Sequence, residues 1–242
     1  MSSTNTAADK LREILTKFCN HYRNIPDIGI VENPLTQVSE DLRYELLSSI
    51  TDSDGDTVLT RAAYRGHTEL CVTLLSSLPP ADRLKLILVN KYTALHSAAY
   101  RGYTETVSGI LNCLTAEQQL QLLFTQDSDG DTALHDAARM GHTETVKTLL
   151  DNLTPEQQLK LLFTQDSDGN TALHYAAREG RTETVKTLLD NLTPEQQLQL
   201  LSVQSNTGKT AFQRAADDKQ KETQMILKKY ERDADCEVNY GK

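Results

Sequence analysis

Hydrophobic positions along the chain come in short bursts at helical spacing, each stopped by a glycine or a proline. In residues 127–165, Ala133, Leu134, Ala137 and Ala138 form one small-residue stripe, Gly141 closes it, and Val146, Leu149 and Leu150 form the next. Thr132 stands where a hydroxyl can cap the first helix, and Thr143 opens the second. Thr154, Pro155 and Gln157 then read as a cap, a first-turn proline and a capping-box partner ahead of Leu159, Leu161 and Leu162, so a third short helix is expected. None of these helices is long enough to be stable alone.

The pattern recurs. Residues 166–204 match residues 127–165 at 32 of 39 positions. The aligned threonines Thr57, Thr93, Thr132, Thr171 and Thr210 are 36, 39, 39 and 39 residues apart. They define five units at about 52–88, 89–126, 127–165, 166–204 and 205–230. The short step comes from a turn before Thr93 that lacks three residues. Units of this kind bury their apolar faces on one another.

The run D-x-x-G-x-T-A-L-H-x-A-A-x-x-G-H-T-E-x-V-x-x-L-L resembles the ankyrin repeat, with TALH at residues 93–96, 132–135 and 171–174. Alanine replaces the family's proline, the first and last units carry TVLT and TAFQ, and each full unit is about six residues longer than usual. The resemblance implies an all-α solenoid of about five repeats, with short β-turn or hairpin connections and an extra short helix per repeat. The repeat domain is expected over 38–230. Residues 1–37 are expected to be a capping helix, with Leu11, Ile14, Leu15, Phe18 and Tyr22 on one face, followed by a loop containing Pro26, Gly29 and Pro34. Residues 231–242 are expected to be a flexible acidic tail.

Composition narrows the function. No run of 18 apolar residues occurs, and no secretory core follows the N-terminus, so neither membrane span nor signal peptide is expected. A net charge of −9 argues against nucleic-acid binding. Cys19, Cys71, Cys113 and Cys236 are scattered, which fits a reducing, cytoplasmic compartment (the host cytosol if the chain is a secreted effector). A monomer is expected.

Chemistry-bearing patterns are few. His96, His135 and His174 recur once per unit, a column too widely spaced to share a metal, and are expected to bond neighbouring turn backbone. The acidic turns at Asp52, Asp127 and Asp166 fail the EF-hand count and read as turn formers. No nucleophile or phosphate-loop motif occurs. No catalytic residue, metal or cofactor is therefore expected. The enzyme alternative would rest on His21, Cys19 and Asp27 near the N-terminus.

The expected function is that of a non-enzymatic scaffold holding a protein or peptide, with a secreted effector as the variant reading. The first-helix side, which the resemblance makes the concave recognition face, carries Arg61, Tyr64, Arg65, Tyr92, Tyr100, Arg101, Arg139, Met140, Tyr175 and Arg178. Tyrosine and arginine are favoured where binding energy concentrates. The two near-identical units differ there at Asp131/Asn170, Asp136/Tyr175 and Met140/Glu179, which adds those residues to the expected contact set.

Overall fold

The computed structural model describes residues 3–21, 28–151, 153–190 and 192–240. Seventeen helices and no strand occur among them. The chain forms two compact units, Met1–Leu122 and Leu123–Lys242.

The first unit opens with α1 (Ser3–His21), α2 (Ile28–Gln37) and α3 (Glu40–Ser49). Repeat 1 follows as α4 (Val58–Tyr64), α5 (Thr68–Ser76) and α6 (Pro80–Ile87), and repeat 2 as α7 (Ala94–Arg101), α8 (Thr104–Asn112) and α9 (Ala116–Leu123). Like packs on like: α1 on α4 and α4 on α7, α2 on α5 and α5 on α8, α3 on α6. The N-terminal segment is thus a complete three-helix unit that presents each repeat 1 helix with a partner. The loop expected before residue 38 is corrected over Ile28–Gln37, which is helical. Val31, Leu35 and Val38 are buried at helical spacing; Gly29 and Pro34 masked that stripe in the sequence. Tyr22, expected on the face of the capping helix, and residues 23–27, expected to belong to the same loop, lie outside the described residues.

The second unit holds repeat 3 as α10 (Ala133–Met140), α11 (Thr143–Asp151) and α12 (Pro155–Leu162), and repeat 4 as α13 (Ala172–Arg178), α14 (Thr182–Asp190) and α15 (Pro194–Ser202). It ends with α16 (Ala211–Asp217) and α17 (Lys221–Tyr240). Here α10, α13 and α16 stack in order, as do α11, α14 and α17. The expected flexible tail is instead the second half of α17 as far as residue 240, with Leu227 and Ala234 buried on its inner side. Repeats 3 and 4 break their second helix before Thr154-Pro155 and Thr193-Pro194, where proline bars its predecessor from helical geometry. In the last unit the second helix continues without a break as α17 and lies against α15.

Short helices survive because their ends are satisfied. Gln157 and Gln158 divide the work. The Gln157 side chain accepts from the Thr154 N–H at 3.0 Å, and Gln158 donates to the Leu150 and Leu153 carbonyls at 3.0 and 3.4 Å. Arg43 and Arg83 take the second role in the first unit, and Arg83 reaches on to the Cys113 carbonyl at 2.9 Å. The first helices meet through alanine: Ala62, Ala63, Ala98 and Ala99 are fully buried. Close approach also fixes Gly66, where φ is +74° and a Cβ would sit 2.8 Å from the Tyr103 ring.

Candidate protein-binding face

Each acidic turn consumes its own charge. Asp127 Oδ1 accepts from the Asp129 and Asp131 N–H groups at 2.9 Å, and Asp52 and Asp166 repeat the arrangement. The following threonine starts the first helix, and the TALH histidine completes its cap. The Thr132 N–H donates to His135 Nδ1 at 3.0 Å, which places the proton on Nε2, 3.2 Å from the Asn170 carbonyl in the next repeat. His174 does the same toward the Lys209 carbonyl at 3.1 Å. These imidazoles are buried structural links, and burial holds His135 down to about 4. Among the described residues no cluster of His, Cys, Asp and Glu has metal-binding geometry.

In the first unit, α4, α7 and the turn before α7 position the expected contact residues. Arg61 does not face outward freely: its Nε is 2.6 Å from Asp52 Oδ2, and Asp56 lies 3.6 Å from its NH1. Arg65 donates to the Phe18 carbonyl at 2.9 Å and lies over the Phe18 ring, so it ties α1 to the C-terminus of α4. Tyr64 and Arg101 are exposed and adjacent, with the guanidinium 5.1 Å from the Tyr64 ring centroid. Tyr92 and Tyr100 are half-buried, and Tyr92 rests 5.4 Å from the His96 ring. The structure therefore brings Tyr64, Tyr92, Tyr100 and Arg101 onto the accessible side and spends Arg61 and Arg65 on folding.

The second unit departs further from expectation. Asp131, Asp136 and Asn170 are buried, not part of an exposed recognition strip. Arg139 NH2 sits 2.5 Å from Asp131 Oδ2, and its NH1 sits 3.4 Å from Asp136 Oδ1. The same guanidinium lies 3.9 Å from the Tyr175 ring centroid. Tyr175 donates to Asp166 Oδ2 at 2.6 Å, the Asn170 amide donates to the same oxygen at 3.2 Å, and Arg214 donates to Asn170 Oδ1 at 3.0 Å. Burial pushes Asp131 up to about 6 against the pull of Arg139. Burial also raises Asp166, but the Tyr175 and Asn170 hydrogen bonds outweigh it and hold that carboxyl below its usual range.

Divergence between the twin repeats at Asp131/Asn170 and Asp136/Tyr175 thus builds one cross-repeat chain, joined by Asp166, Ser205 and Arg214, which sequence reasoning missed. The spacing of Asp136 and Arg139, three apart on a helix, was the available signal. Met140 and Glu179 are half-buried and Arg178 is exposed, so this trio keeps an outward position.

Stacked helices repeating at a fixed interval define the class of helical-repeat proteins. A family model described as ankyrin repeats (3 copies) matches residues 35–121, 59–160, 117–199 and 157–240, and the chain belongs to the ankyrin-repeat family. Ankyrin repeats are generally protein–protein interaction modules and typically non-enzymatic. A comparison with curated proteins finds no match.

Proposed function

We propose that this chain is a non-enzymatic module that holds a protein or peptide on the first-helix side of its repeats. The observation that carries the reading is the exposed pairing of Tyr64 and Arg101 across α4 and α7, with Tyr92 and Tyr100 half-buried in the same repeat as Arg101. In the other unit Met140, Arg178 and Glu179 offer separate accessible contacts. Arg61, Arg65, Asp131, Asp136, Arg139, Asn170 and Tyr175 support these surfaces from within. Four free thiols favour a reducing compartment such as the cytoplasm. Among the described residues no helix is long and apolar enough to cross a membrane.

The test is affinity capture with the intact chain beside a Tyr100→Ala/Arg101→Ala variant, with partner affinity measured by calorimetry. Binding should weaken by about 2 kcal/mol or more in a variant that keeps its helical circular dichroism. Unchanged affinity in the folded variant refutes the assignment of this face.

A further inference from the structure

The turn and first helix of most repeats balance their own charge. In repeat 1 Asp52 and Asp56 hold Arg61, and in repeat 3 Asp131 and Asp136 hold Arg139. In repeat 4 Glu179 pairs with Arg178, and in the last repeat Asp217 takes Lys209. Repeat 2 breaks this pattern. Its shortened turn lacks the acidic residues, and residues 83–104 contain no Asp or Glu, in a chain of net charge −9.

The cations of that stretch divide in two. Arg83 is committed to the Leu78 and Cys113 carbonyls, and Lys85 to Asp82. Lys91 and Arg101 are exposed, and among the described residues neither enters an ion pair. Arg101 is also preorganised, because the Tyr64 ring takes one face of its guanidinium. One of its N–H groups is shared with the Tyr103 side chain, and the others on this exposed guanidinium are open to a planar oxyanion. Lys91 lies three residues before α7 and Arg101 is its last residue; the eight residues of that helix are about 12 Å long, a length that an extended partner covers with about four residues.

We infer that this part of the first unit, Lys91, Tyr92, Tyr100 and Arg101 with Tyr64, takes a carboxylate-rich segment of the partner protein. The inference rests on the interaction reading above and adds the chemistry of what is bound. Lys91 and Arg101 supply the charge, and the tyrosines supply contact area.

The experiment uses the full chain and a fluorescein-labelled Glu/Asp-rich peptide of about a dozen residues, beside its Gln/Asn counterpart of equal length, at low and high salt. The acidic peptide should bind at least about tenfold more tightly than the amide peptide, and added salt should weaken it. Lys91→Gln/Arg101→Gln should lower its affinity about tenfold with the melting temperature unchanged, while Lys147→Gln/Lys186→Gln on the second helices should leave it intact. Equal binding of the amide peptide, equal loss in the Lys147/Lys186 variant, or tighter binding of an oligonucleotide of matched charge overturns the inference. A captured partner that needs Tyr100 and Arg101 but ignores salt and the acidic competitor removes the acidic chemistry and leaves the interaction reading standing.

Discussion

Replacing Arg139 with alanine should destabilise the second unit by about 2–3 kcal/mol at pH 7, and by much less at pH 5. The guanidinium serves two nearly buried carboxylates and the Tyr175 ring, and its own side chain is 27% exposed. Removing one partner of a fully buried pair costs about 3–5 kcal/mol, and partial solvent access lowers that here. Proton uptake sets a further limit. Asp131 has its folded pKa raised to about 6 from an ordinary 3.8, so its contribution is most favourable below 3.8 and is lost as pH rises through 6. Without Arg139 the carboxyl takes a proton instead of remaining charged, which caps its added cost at pH 7 near 1.4 kcal/mol, about one pH unit of linkage. Lost contact with Asp136 and Tyr175 supplies the remaining ~1 kcal/mol or more. At pH 5 Asp131 is protonated with or without Arg139, and only that remainder survives. Urea midpoints at constant m-value report both numbers. An Asp131→Asn background, the residue that repeat 4 carries as Asn170, should remove most of the pH-dependent part. Equal losses at pH 5 and pH 7, or no relief in the Asn background, would refute the account.

Two further outcomes follow from the same geometry. His135 is held at about 4 against an ordinary 6.5, so the stability it adds is complete above 6.5 and lost as pH falls toward 4, a total of about 3 kcal/mol; Asp131 slopes the opposite way, so the difference between wild type and His135→Gln isolates the term in urea titrations from pH 7 to 4. Gly66→Ala and Gly55→Ala share a positive φ, with a strain of about 1–2 kcal/mol each, but only the first meets a ring. Gly66→Ala should therefore melt earlier than Gly55→Ala, by an overpacking cost of about 1–3 kcal/mol against Tyr103, and equal melting temperatures would remove that contact from the account.

The repeat architecture was readable because its determinants are local. Thr132, Gly141, Thr154 and Pro155 cap, stop and restart helices wherever they occur, and the period of 39 residues shows that neighbours complete the core. The same locality misled at both ends. Pro34 and Gly29 obscured α2, which packing against α5 sustains, and the polar outer side of α17 obscured a stripe that α14 and α15 bury. The candidate face was legible only as composition. Arg61, Tyr64, Arg101 and Arg139 look alike along the chain, yet carboxylates hold the first and last while Tyr64 and Arg101 face outward. Which side chain is spent inside depends on how each acidic turn closes on its own first helix and on contacts such as that of Tyr64 with Arg101 one repeat apart, and those distances exist only once the chain has folded and the helices have stacked.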